Sequence, residues 1–226
     1  MRIDPDIFHL DPIEARLLGC LIEKAALTPE AYPLTVNSAV TAANQKTSRE
    51  PVMHLEPGAV EHTLRGLEDR KLVAVIHGSR AHRYEHRLDT AWQLTPKQRA
   101  LLAMLFLRGP QTLPELHLRC ERLARFESPD DVREVLMRLA HRTPALVVNM
   151  GRQAGQREDR YMHLCSGPVA VHSPTGGDDL DVNGELPRRV EAGLAARVTE
   201  LEARVAEMEA RLGALEQAGT TAAPNL

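Results

Sequence analysis

A chain of 226 residues, 43% of them hydrophobic, has room for one large domain or two small ones. Aromatic residues make up only 3%, so the cores must be filled by Leu, Val, Ala and Met, which suits small helical domains and argues against a sandwich or barrel. Cys20, Cys120 and Cys165 stand far apart in apolar runs, with no C-x-x-C pair, as free thiols do in a reducing compartment. With no basic-then-apolar leader and no apolar run of about 18 residues, a cytoplasmic protein without a membrane span is expected. The net charge of −3 is uneven. Residues 1–94 carry 11 basic and 13 acidic side chains, residues 95–165 carry 12 and 8, and residues 166–226 carry 5 and 10, so the middle is the basic part.

The first helix is predicted to open at Leu10-Asp11-Pro12-Ile13-Glu14, where Asp11 caps, Pro12 suits the first turn and Glu14 has the capping-box spacing. Leu94-Thr95-Pro96-Lys97-Gln98 repeats that start. The apolar stripe Leu17, Leu18, Leu21 and Ile22 returns 84 residues later as Leu101, Leu102, Leu105 and Phe106, giving each segment the core face of an amphipathic helix. A second helix is expected over about Leu34 to Ala43, and its counterpart over about Leu113 to Ala124. Third helices follow, with Pro57, Val60, Leu64 and Leu67 matching Pro129, Val132, Leu136 and Leu139 at an offset of 72. The first copy is therefore 12 residues longer, which assigns Asn44 to Leu55 to an extended connection. Each copy closes with an apolar run (Leu72 to Ile76, Leu146 to Met150), a charged Gly-containing turn, and Arg83-Tyr84-Glu85-His86 or Arg160-Tyr161-Met162-His163, the pattern of a two-stranded hairpin. Three helices and a hairpin, twice, predict a mainly α, α+β fold of two tandem winged-helix domains, over residues 1–94 and 95–165.

Residues 166–187 are rich in Gly, Pro, Asp and Ser and are expected to form a flexible acidic linker. Over 188–218, Leu194, Val198, Leu201, Val205, Met208, Leu212 and Leu215 recur in alternating steps of four and three, a heptad seam. Arg197, Arg204 and Arg211 at g would meet Glu202, Glu209 and Glu216 at e in a parallel pairing, whereas an antiparallel homodimer would set like charges together. A parallel coiled-coil homodimer is the expectation, with a disordered tail over 219–226; a single amphipathic helix folded onto the domains is the alternative.

Three stretches carry a resemblance to the YceH family of bacterial proteins: Tyr32-Pro33-Leu34-Thr35-Val36-Asn37 running on to Asn44-Gln45-Lys46-Thr47-Ser48-Arg49-Glu50-Pro51-Val52-Met53; Leu107-Arg108-Gly109-Pro110-Gln111-Thr112; and Gly155-Gln156-Arg157-Glu158-Asp159-Arg160-Tyr161-Met162-His163-Leu164. With the C-terminal heptads the likeness spans nearly the whole chain. It implies a tandem winged-helix fold and little mechanism, since the family's molecular activity is not established. The chain departs from the family pattern at Ala43, where a cysteine is expected, and at Pro114 and His117, where Gly and Arg are expected, which argues against a functional thiol at the first place and an essential arginine at the second.

A winged helix usually meets duplex DNA through its third helix, with Arg and Lys neutralising phosphates. The outward positions of the first such helix are His62, Arg65 and Asp69, accompanied by Glu61 and Glu68, and Asp130 and Asp131 open the second, so both surfaces are poor for DNA. The candidate nucleic-acid contacts are Arg65, Arg80, Arg83, Arg119, Arg122, Arg125, Arg152, Arg157 and Arg160, weighed against the plain reading of a solvated basic face. Asn44, Gln45, Lys46 and Arg49 are candidates for a partner or ligand loop, against the alternative that Asn and Ser bond locally and that Arg49 and Glu50 tie the loop to its own domain. His82 and His86 share a strand face with Tyr84 but lack further ligands at metal spacing, and no phosphate loop, nucleophile elbow or carboxylate pair is evident. The expectation is a non-enzymatic protein without metal or cofactor. Its first functional reading is a dimeric DNA-associated regulatory protein; the alternative is a tandem winged-helix scaffold that binds an unidentified protein without touching DNA.

Overall fold

A computed structural model describes residues 8–78, 81–152 and 155–167. Within them the chain is mainly helical with two small antiparallel sheets. None of these helices is long and apolar enough to cross a membrane. Helix α1 (Pro12–Leu27) starts where the sequence signals it: the Asp11 carboxylate accepts from the backbone N–H of Ile13 and Glu14, and Glu14 reaches back to the Asp11 N–H. A 3-10 turn at Pro29–Ala31 leads to α2 (Val36–Ala43), capped by Thr35, and a long connection leads to α3 (Pro57–Asp69). Strands β1 (Val73–His77) and β2 (His82–His86) form the first hairpin. Leu34 bridges to Tyr84 through two backbone hydrogen bonds, adding one residue of third strand ahead of α2.

The second half repeats this order. After the short α4 (Leu88–Ala91), helix α5 (Pro96–Arg108) opens on a Thr95/Gln98 capping box. Strand β3 (Gln111–Thr112) leads directly to α6 (Leu113–Cys120), α7 (Pro129–Ala140) follows, and β4 (Val147–Asn149) and β5 (Arg160–His163) close the half. The sheet order β3-β5-β4 places the short strand beside the last one, as Leu34 lies beside Tyr84. The second helices are shorter than the apolar pattern suggests, because Leu34 belongs to the strand bridge and residues 121–124 form a turn.

Over the described residues the two halves form one compact unit with a continuous core. The reason lies in α1 and α5. An amphipathic helix with one core face accounts for Leu17, Leu18, Leu21 and Ile22, yet every residue from Ala15 to Glu23 is buried, as is every residue from Ala100 to Leu107. Helices buried on all sides need partners on two faces. Each packs against its own half on one face and against its repeat counterpart on the other. Gly19 permits the close approach: a Cβ there would stand 2.9 Å from Leu107 Cγ and 3.2 Å from Phe106 Cβ. Phe8, Trp92, Phe106 and His163 continue the junction as successive ring contacts at 5.2, 6.4 and 4.9 Å between centroids. The Leu10 N–H donates to the Cys165 carbonyl at 2.6 Å, fastening the start of the first half to the end of the second.

Each hairpin ends on a sheltered histidine. His86 stacks obliquely near Tyr32, and His163 meets the edge of Phe106; both have a buried Nδ1 without a partner. Burial pushes the pKa of each down to about 4.

Two outcomes are expected. Gly19→Ala forces Leu107 and Phe106 aside and should cost about 1–3 kcal/mol, read as a lowered urea midpoint in a single transition that reports both halves together. A histidine held neutral when folded binds its proton first in the unfolded chain, so stability should be full above about pH 6.5, fall as the pH drops towards 4, and level off below. His86→Gln and His163→Gln should each flatten that slope in a urea series run across these pH values.

Candidate functional site

The outward faces of the third helices are where the sequence puts them, and they are self-neutralised. On α3, His62, Arg65 and Asp69 are exposed, and the Arg65 guanidinium bonds to Glu61 one turn earlier. On α7, Arg133 pairs with Asp130 and Arg138 with Glu134, while Asp131 holds Lys97 of α5. Lys97 keeps the Asp131 carboxyl below its usual range. These i,i+3 and i,i+4 pairs add little stability, but each sets a carboxylate beside the cation that a phosphate would need.

The other candidate arginines divide into three groups. Arg119 donates to Gln111 Oε1 at 2.7 Å and to Glu115, and Arg160 donates to the Pro110 carbonyl, Gln156 and Glu115. These bonds hold α6 against β5, and with the Thr112 N–H they draw the Glu115 carboxyl below its usual range despite its partial burial. Arg83 likewise donates to the Pro33 carbonyl at 2.8 Å. Arg152 faces Asp159 at 3.7 Å. Only Arg122, Arg125 and Arg157 among the described candidates are exposed with no ion-pair or hydrogen-bond partner. Arg80 lies outside the described residues.

The Asn44 to Met53 connection is fastened at four points. Asn44 closes it like a strap, its Nδ2 donating to the Leu55 carbonyl at 2.9 Å while its Oδ1 accepts from the Leu55 N–H at 2.7 Å. Arg49 is 4% exposed and makes a bidentate pair with Glu23 of α1, at 3.1 and 2.6 Å, with its Nε donating to the Ala42 carbonyl. Arg16 of α1 donates to the carbonyls of Ala43 and Pro51. The Glu50 N–H donates to the Leu107 carbonyl at 2.8 Å, so Glu50 ties the loop to the other half and Arg49 ties it to its own. Gln45 and Lys46 carry no such bonds, Lys46 being exposed and Gln45 half-buried.

Sequence reasoning missed Glu23 and Arg16. Both lie inside an apolar helical run, which is the available signal: a charged residue on the core stripe must find a partner. Cys20 sits beside them, its thiol pushed up to about 11 by burial, with Cys120 and Cys165 pushed up to about 12, so all three are inert as nucleophiles near neutral pH. Among the described residues no group of three His, Cys, Asp or Glu side chains is placed to hold a metal ion.

Glu23→Gln leaves the Arg49 charge buried without its partner and should destabilise the fold by about 3–5 kcal/mol. Gln45→Ala and Lys46→Ala should stay within about 0.5 kcal/mol of the parent. Chemical denaturation of the three variants checks both statements.

A protein-family model described as "Protein of unknown function, DUF480" matches residues 10–156. UPF0502 protein Smlt0097 of Stenotrophomonas maltophilia strain K279a is 52% identical over 204 residues, covering 88% of this chain and 90% of that protein. UPF0502 protein XCV4380 of Xanthomonas euvesicatoria pv. vesicatoria strain 85-10 is 58% identical over 164 residues, 73% of each chain. UPF0502 protein mll4256 of Mesorhizobium japonicum is 50% identical over 197 residues, covering 87% and 91%. With relatives at half identity or more along most of their lengths, and with the match running through both halves and the loop between α2 and α3, the chain belongs to the DUF480 family, whose bacterial members here bear the UPF0502 name.

Proposed function

We propose that each half is a winged-helix domain, in keeping with the YceH likeness, and that the protein is a non-enzymatic scaffold whose winged-helix surfaces bind another protein. The observation that carries this reading is the self-neutralisation of α3 and α7. A helix that enters a DNA groove must offer cations to phosphate, and here Arg65, Arg133 and Arg138 each bring a carboxylate with them. Apolar side chains stand out in the second half instead: Leu118 on α6 is 72% exposed and Met137 on α7 is 52% exposed. A protein partner gains by covering such groups; a phosphate backbone does not. Three buried free thiols support a cytoplasmic setting. The heptad seam Leu194, Val198, Leu201, Val205, Met208, Leu212 and Leu215 lies outside the described residues; its flanking Arg and Glu pattern supports a parallel homodimer carrying four winged-helix units.

One observation favours a second reading, a dimeric DNA-associated regulator. Arg122, Arg125 and Arg157 are exposed and unpartnered in the basic half of the chain, so contact with phosphate through them, without base readout, is chemically available.

Fluorescence anisotropy with a mixed-sequence duplex over a salt series separates the two. The scaffold reading expects no binding near physiological salt, and expects Leu118→Asp with Met137→Asp to lose proteins that the parent and an Arg122→Ala, Arg125→Ala, Arg157→Ala variant both retain from a cell extract. Duplex binding whose salt slope becomes shallower by about three units in the triple arginine variant would overturn it in favour of DNA.

A further inference from the structure

Beside the α1–α5 junction lies a cleft of about 300 Å³ that none of the surfaces above uses. None of its lining residues belongs to α3 or α7. Its walls are mostly apolar, with Ala15 of α1, Pro51 and Met53 of the α2–α3 connection, and Leu105 and Phe106 of α5. Four polar side chains interrupt them: Glu50 and Ser166, and the buried Arg16 of α1 and His163 of β5, which are 1% and 4% exposed.

Both buried side chains have unfinished hydrogen bonding. Arg16 uses one N–H on each terminal nitrogen for the carbonyls of Ala43 and Pro51, and its Nε is buried with no partner. A guanidinium has five N–H donors, so three remain. Among the described residues no carboxylate bonds to Arg16. Glu23 is occupied by Arg49, and Glu50, which also borders the cleft, is exposed and makes no ion pair with it. Glu50 is near enough to favour the Arg16 charge but does not bond to it, so Arg16 is a buried cation without a directly paired counter-ion, an arrangement that a fold tolerates poorly unless something else supplies the missing contact. His163 lines the same space with its Nδ1 buried and unpartnered.

We propose that this cleft binds a small apolar carboxylate, with its anionic end on the Arg16 guanidinium, a second oxygen accepting from a ring N–H of His163, and its hydrocarbon part against Met53, Leu105 and Phe106. Arginine offers two parallel N–H groups to a carboxylate, which fixes orientation as well as charge. Burial keeps His163 neutral at physiological pH, so it serves as a polar handle and adds no second charge. The volume is at the small end for ligand sites and suits a molecule on the order of ten non-hydrogen atoms. This binding is separate from the partner surfaces on α6 and α7, and either can fail without the other.

Isothermal titration calorimetry of the full-length protein tests it with benzoate and hexanoate, each beside its uncharged amide. At least one acid should bind about tenfold or more tightly than its amide. Arg16→Gln should bring the acid down to the amide's affinity. Met53→Trp, which fills the cleft from a half-exposed position and leaves both donors in place, should abolish binding, with circular dichroism confirming the fold of each variant. Equal affinity for acid and amide, binding that survives Met53→Trp, or no binding of either acid at about 10 mM would overturn the proposal and leave the two polar atoms to ordered water. Should Arg16→Gln fail to fold, the acid–amide comparison and Met53→Trp still decide.

Discussion

Helices α1 and α5 lie against each other with no side-chain layer to spare at Gly19, and the rest of the molecule is arranged around that contact. Each helix is the first of its repeat and carries its own half on one side. Packing the two together turns what would be separate small domains into one unit with a shared core. Size makes this favourable: a half of roughly 70 to 90 residues buries a smaller fraction of its surface than the joined pair does.

The same contact explains the charged residues inside the core. With α1 enclosed on two sides, Arg16 and Glu23 are almost wholly buried and take their partners from within the fold. The α2–α3 connection answers them, supplying Arg49 to Glu23 and the Pro51 carbonyl to Arg16, while Ala43 at the end of α2 supplies a second carbonyl. Its extra length over the second copy is thus spent on the junction: the loop runs from α2, over α1, to the Leu107 carbonyl of α5, and returns to α3. A polar sequence that suggests a flexible binding loop is here a fastening. Of Asn44, Gln45, Lys46 and Arg49, only Gln45 and Lys46 are left without such bonds and keep the character of a surface.

Charge placement on the outside follows a different logic. Most of the basic excess of the second half is used internally, with Arg119 and Arg160 joining α6 to β5 through Glu115, and Arg142 donating to the Trp92 and Gln93 carbonyls. Counting arginines by segment overstates the cations that a partner meets, because the count does not distinguish a side chain bonded to a carbonyl from one in solvent. What remains outside is a mixed surface of ion pairs, the unpartnered Arg122, Arg125 and Arg157, and the exposed Leu118 and Met137, together with a recessed cleft bordered by the exposed Glu50 and the buried Arg16.

Local chemistry was legible in the sequence by itself. The Asp11 and Thr95 capping boxes, the proline-led third helices and both hairpins depend on residues within a few positions of one another, so spacing alone determined the α+β order and which stripe of each third helix turns inward. Long-range pairing was decided only in three dimensions. Nothing in the spacing of Glu23 and Arg49, 26 residues apart, or of Arg16 and His163, at opposite ends of the described chain, indicates that they meet at the same junction. That outcome depends on α1 and α5 having apolar residues on two faces instead of one. Hydrophobic periodicity records which residues avoid water, and only the packed structure decides which neighbour they avoid it with.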